Sequence, residues 1–85
     1  MKELQYVIKD SAGIHARPAG LLVKKAAEFS SKITLKKDGK SADARRLFAI
    51  MGLGAKQGEN LTIEIDGADE DAAAEAFQAF LAENL

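Results

Sequence analysis

Gly13-Ile14-His15-Ala16-Arg17-Pro18-Ala19-Gly20-Leu21-Leu22-Val23-Lys24-Lys25-Ala26-Ala27-Glu28-Phe29 is the stretch where the period of the chain changes. Ala19, Leu22, Val23, Ala26 and Phe29 fall on one helical stripe, while Lys24, Lys25 and Glu28 fall off it. Pro18 sits in the first turn, where a missing N–H costs nothing. This predicts a helix from Ala16 to Phe29, capped at His15 and ended by Ser30 and Ser31. On either side the period is two. Leu4, Tyr6 and Ile8 alternate with Gln5, Val7 and Lys9, which reads as a strand, and Asp10 to Gly13 as a loop.

After the helix, Ile33 and Leu35 alternate with Lys32, Thr34 and Lys36 in a second strand. Asp38-Gly39 is a two-residue hairpin turn, since glycine accepts a positive φ without steric cost. Lys40 to Ala44 is then a third strand. Arg46 to Leu53 forms a short helix with Leu47, Ile50 and Leu53 inward, interrupted by Gly52, Gly54 and Gly58. Leu61, Ile63 and Ile65 alternate with Thr62, Glu64 and Asp66 in a fourth strand. Gly67 and Ala68 turn the chain, and Asp69 is placed to cap a last helix. Glu70 and Asp71 suit the positive end of that helix's dipole. Its buried stripe is Ala73, Phe77, Phe80 and Leu81, and it runs nearly to Leu85.

The order is β-α-β-β-α-β-α. Each strand has one apolar face, so the fold class is α/β (α+β). It is an open-faced sandwich, with an antiparallel four-stranded sheet covered on one face by three helices. The length, 85 residues, sets one domain over 1–85 with a thin core.

There is no cysteine. Disulfides, thiolate metal sites and cysteine nucleophiles are thereby removed, and a reducing cytoplasm is the expected compartment. Met1-Lys2-Glu3-Leu4-Gln5 has no apolar stretch behind a basic one, so no secretory signal is read there. No apolar run approaches the ~20 residues a bilayer span needs, and direct membrane insertion is not expected. The net charge of −1, from 12 Lys and Arg against 13 Asp and Glu, argues against nucleic acid as a partner. The charges are uneven, however: Ala16 to Lys56 is rich in Lys and Arg, and every charge from Glu59 onward is acidic.

His15 is the only histidine. With no cysteine, it is the best nucleophile the chain has at neutral pH. It stands at a helix N-cap, where backbone N–H groups are unpaired and carry partial positive charge. Phosphate is the usual guest of such a place. The N–H groups of Ala16 and Arg17 could cradle a phosphoryl group on the imidazole, with the Arg17 guanidinium adding a charge-assisted fork. Gly13 lets the loop approach tightly. A metal site is not expected, because there is no second His and no Cys to complete a ligand set. On the residues alone, phosphate handling stands level with an inert surface histidine. A hydrolytic Ser-His-Asp arrangement also stays open, although nothing resembles a nucleophile elbow.

Gly13-Ile14-His15-Ala16-Arg17-Pro18-Ala19 resembles the active-site signature of the HPr family, the histidine-containing phosphocarriers of the bacterial sugar phosphotransferase system. The resemblance extends to the length, the element order, the Asp38-Gly39 hairpin, the Leu47-to-Gly54 segment and the final helix. It implies a phosphoryl carrier, not an enzyme, that is cytoplasmic, monomeric and needs no cofactor. By the same resemblance, enzyme I, charged from phosphoenolpyruvate, phosphorylates the δ1 nitrogen of His15. EIIA domains of sugar permeases then take the group, and Arg17 assists it.

The resemblance also places both partners on the surface around the first two helices, with Gly20, Leu21, Lys24, Leu47, Phe48 and Met51 as the docking set. That accounts for a surplus of apolar side chains. Leu21, Phe48 and Met51 lie off the stripes of their helices, and an exposed apolar patch usually marks a partner site. Packing under a loop is the competing account. Arg17, Lys24 and Arg46 would form a basic rim for acidic partners.

One position departs from the family. A serine that a regulatory kinase phosphorylates in many Gram-positive bacteria commonly starts the second helix. This chain has Arg46 there, so no regulatory serine is expected. A specialised paralogue, such as the nitrogen-related phosphocarrier acting by phosphorylation-dependent protein binding, is the alternative function. A non-catalytic interaction domain is disfavoured by the presence of His15, Arg17 and Pro18 together.

Overall fold

The computed structural model describes residues 1–85. Its elements are β1 (Lys2–Val7), α1 (Ala16–Ala26), β2 (Lys32–Lys37), β3 (Lys40–Asp43), α2 (Leu47–Gly52), β4 (Asn60–Asp66) and α3 (Glu70–Asn84). The four strands form one antiparallel sheet in the order β1-β4-β2-β3. β4, the last strand in the chain, therefore lies inside the sheet, paired with β1 on one side and β2 on the other. No helix is long and apolar enough to cross a membrane.

Alternation decides which face of the sheet is covered. Ile33, Leu35, Leu61, Ile63 and Ile65 are fully buried beneath the helices. Their neighbours Thr34, Thr62 and Glu64 are half-buried on the opposite face, where Lys36 Nζ pairs with Glu64 at 3.1 Å. The helices contribute Ala19, Leu22, Ala26, Ile50, Phe77 and Leu81 to the same core. Phe77 joins its layers, with ring centroids 6.4 Å from Phe29 and 6.1 Å from Phe80. Such tilted pairs are a preferred aromatic geometry. The β2–β3 turn has positive φ at both central residues, Asp38 at 49° and Gly39 at 79°, with Lys37 opposite Lys40. This is the twist-matched hairpin that Asp-Gly favours.

Two expectations need correction. α1 ends at Ala26, a turn earlier than Phe29. Just past that end the Arg45 guanidinium holds the chain in its turn toward β2, donating to the carbonyls of Ala26 (3.2 Å), Phe29 (2.5 Å) and Ser31 (3.1 Å). A cation at this end also suits the helix dipole. Asp69 occupies the N-cap position of α3 but makes no side-chain bond to that helix. Its carboxylate instead accepts from the Ser30 N–H (2.8 Å), the Ser31 N–H (2.9 Å) and the Ser31 hydroxyl. These bonds hold the carboxyl of Asp69 down to about 2, the Ser31 hydroxyl being the largest cause. The stitched joint between α1 and β2 thus outcompetes both a longer α1 and a local cap.

The charge asymmetry is also partly cancelled in space. Lys2 pairs with Asp71 at 3.0 Å, and Lys37 with Glu59 at 3.1 Å. The second of these sets the basic middle of the chain against its acidic end, as does the Lys36–Glu64 pair on the open face of the sheet.

Candidate functional site

The site is assembled from backbone outward. His15 is the N-cap of α1, with extended backbone (φ −103°, ψ −173°) and no side-chain capping bond. Its carbonyl accepts the first helical bond, from the Ala19 N–H at 3.0 Å. The imidazole is therefore free while the backbone that carries it is held, and the residue is exposed.

The loop before His15 is pinned on two sides. Asp10 closes it, its carboxylate accepting the Ala12 N–H (2.8 Å) and its carbonyl the Gly13 N–H (3.0 Å). Beyond that turn, the Ile14 N–H donates to the Ala55 carbonyl at 3.0 Å, and the Ile14 side chain is buried. Gly13 has φ +67°, and a Cβ there would lie 2.4 Å from that same Ala55 oxygen. Glycine is thus required twice over, for the left-handed backbone and for the close approach. On the other side, the N–H groups of Lys9 and Asp10 donate to the Leu85 carbonyl at 2.6 and 2.8 Å. The end of α3 is thereby tied beside the start of α1.

Ala16 and Arg17 take part in none of the backbone hydrogen bonds outside regular elements, and no residue lies four before them within α1. Their N–H groups are the orphan donors of a helix start. There is no acidic residue in this first turn. The positive end of the helix dipole is consequently unopposed within α1, and the Arg17 guanidinium adds a full charge. A dianionic group on the imidazole would meet two backbone donors, a dipole and a guanidinium.

A concavity of about 190 Å³ opens at this point, lined by Asp10, His15, Arg17, Pro18, Leu21, Glu83 and Asn84. His15, Arg17 and Leu21 come together there as the sequence pattern requires. Asp10, Glu83 and Asn84 were missed. The bonds that bring them there join Asp10 to Leu85, across almost the whole chain, and no local pattern reports such a bond.

The other docking candidates sit on α1 and α2, which pack on one another. Phe48 is 82% exposed, Leu21 39% and Met51 37%. Lys24 is exposed and Gly20 half-buried on α1. Leu47 is half-buried and packs against the core, so it serves the core at least as much as the surface. Arg46 is the exposed N-cap of α2 and makes no capping bond. A hydroxyl there would normally cap, so α2 lacks the side-chain cap that serine supplies.

Comparison with known proteins identifies the family and matches the fold. The family described as "PTS HPr component phosphorylation site" matches residues 2–83. The chain is 43% identical over 83 residues to the phosphocarrier protein HPr of Lysinibacillus sphaericus, covering 98% of this chain and 94% of that protein. It is similar in structure to HPr-C-His from Thermoanaerobacter tengcongensis, with a TM-score of 0.92 and 39% identity over 99% of this chain and 94% of that one. Crh, the catabolite repression protein of Bacillus subtilis, superposes with a TM-score of 0.78 at 33% identity, over 100% of this chain and 98% of that one. The chain belongs to the HPr family, the phosphocarriers of the phosphotransferase system.

Proposed function

We propose that this HPr-family chain accepts a phosphoryl group on Nδ1 of His15 from enzyme I and donates it to EIIA domains of sugar permeases. The observation that carries the reading is the exposed, unbonded imidazole beside the unpartnered Ala16 and Arg17 N–H groups. In the transfer, the His15 Nδ1 lone pair forms a bond to phosphorus as the donor's bond to phosphorus breaks, and that electron pair stays on the donor. The group then leaves by the same route in reverse. Arg17 balances the charge on the phosphoryl oxygens, and the backbone donors hold them without reorganisation.

Partners dock, in this reading, on the face formed by Gly20, Leu21, Lys24, Leu47, Phe48 and Met51. The joint exposure of Leu21, Phe48 and Met51 on the packed helices α1 and α2 supports this, because several exposed apolar side chains together mark an interaction surface where a single one does not. Arg17, Lys24 and Arg46 ring that face with positive charge. The protein works as a cytoplasmic monomer without a cofactor. A kinase acting at the start of α2 has no hydroxyl to modify at Arg46. The nitrogen-related regulatory reading has less support, since the curated relatives this chain resembles at 43%, 42% and 39% identity are named as phosphocarrier proteins HPr.

The experiment is incubation with phosphoenolpyruvate and a generic enzyme I. An acid-labile, base-stable gain of one phosphoryl group, mapped to His15, is expected. Absence of that gain would end this reading.

A further inference from the structure

The phosphoryl site is not uniformly positive. The concavity that His15 and Arg17 line is lined also by two carboxylates, Asp10 from the loop before α1 and Glu83 from the last turn of α3. Neither forms an ion pair, with Arg17 or with any other cation of the molecule. Their position is built in. Asp10 is locked in its turn by the Ala12 N–H, and the Leu85 carbonyl takes the N–H groups of Lys9 and Asp10. Those bonds hold the end of α3, and Glu83 with it, against the active-site loop.

A purely cationic cradle would bind the phosphoryl group well and release it badly. Stabilising a carrier's loaded form lowers its transfer potential by the same amount. We propose that Asp10 and Glu83 are tuning residues that keep phospho-His15 labile. Through the intervening solvent they lower the positive potential that Arg17 gives the empty site, and they repel the phosphoryl oxygens when it is loaded. Both effects have one sign, favouring the unphosphorylated form. They operate through solvent at the rim of an open concavity, so they are modest and salt-sensitive. This inference rests on the proposed acceptance at His15.

The test is the equilibrium of the full-length chain with enzyme I, phosphoenolpyruvate and pyruvate, read by intact mass. Asp10→Asn keeps an oxygen for the Ala12 N–H, so the turn survives. Glu83→Gln alters an exposed side chain. Each single variant should shift the equilibrium about threefold toward the phosphorylated form at low salt. The double variant should shift it about tenfold, and the shift should shrink toward unity at about 0.5 M salt. Spontaneous hydrolysis of the phosphorylated double variant should slow in parallel. Glu83→Asp, which keeps the charge, should restore wild-type values, an outcome that a merely structural role would not produce. Wild-type uptake with an unchanged constant in the double variant overturns this inference alone. A shift that persists undiminished at high salt overturns it too, because it would not be electrostatic. No uptake by the wild type overturns the His15 reading, and this one with it.

Discussion

The two ends of α1 are treated in opposite ways. At its C-terminal end, Arg45 donates to three carbonyls and Asp69 accepts from the first two N–H groups after the turn, so the joint to β2 is richly bonded. At its N-terminal end the backbone is equally well held, through Ala55 and Leu85, but the polar groups that face outward are left without partners. A polar group costs little at the surface, where water satisfies it, and it is there that another molecule can replace the water. The chain saturates the end that joins β2 and leaves open the end that carries His15, the acceptor in the proposed transfer.

The sharpest way to break that comparison is His15→Ala. Phosphoryl uptake should vanish, while the thermal melt stays within about 0.5 kcal/mol of wild type because the side chain is exposed. Uptake that persisted would move the working site elsewhere. Arg17→Ala should slow transfer without abolishing it, since the backbone donors remain. The expected loss is about 1.5–3 kcal/mol, or roughly ten- to a hundredfold in rate. Rapid-quench rates with enzyme I and with an EIIA domain measure it, and rates equal to wild type with both would leave Arg17 without a role.

Phe48→Glu sharpens the open side of the comparison from the neighbouring helix. Binding to enzyme I in a titration should weaken by more than about tenfold, as a charge would be buried on docking. Folding should change by about 0.5 kcal/mol or less. Unfolding of this variant would instead make Phe48 a structural residue.

At the closed end, Arg45→Ala should destabilise the fold by about 1–2 kcal/mol in a denaturant titration, with phosphoryl uptake preserved in the folded protein. An unchanged midpoint would mean that water replaces the guanidinium at no cost.

The smallest expected effect is an acid one. The carboxyl of Asp69 is held at about 2 in the fold against an ordinary 3.8. A group depressed on folding contributes stability that is present above its unfolded value and is lost as pH falls through the folded one. That contribution should therefore fade between about pH 4 and pH 2. Asp69→Asn should have a flatter acid limb over that window than wild type. Parallel limbs would show that the bonds to Ser30 and Ser31 do not discriminate between the charged and neutral carboxyl.

Much of the fold was legible before the structure because its signals are local. Period two in Leu61, Ile63 and Ile65 follows from the pleat of a strand, and the Ala19-Leu22-Ala26 stripe from the turn of a helix. His15 as the start of α1 follows from its place ahead of Pro18 and an apolar stripe. Asp38-Gly39 announced its turn because few residues accept a left-handed backbone. The candidate nucleophile was legible for the same reason, being a sole histidine placed by a local pattern at a helix start.

The sequence by itself therefore determined the element order, the buried faces and the candidate nucleophile. Those properties depend on dihedral sterics and on residues within about one turn of each other. The tertiary structure alone decided that β4 lies inside the sheet, and it resolved in favour of solvent the choice, open in the sequence, between an exposed Phe48 and one packed under a loop. It also decided that Asp69 serves Ser31, 38 positions away, instead of its own helix, and that Glu83 lines the same concavity as Arg17. Each of these is a contest between a local partner and a distant one. Its outcome depends on which groups the packed core brings within bonding distance, and no stretch of neighbouring residues encodes that.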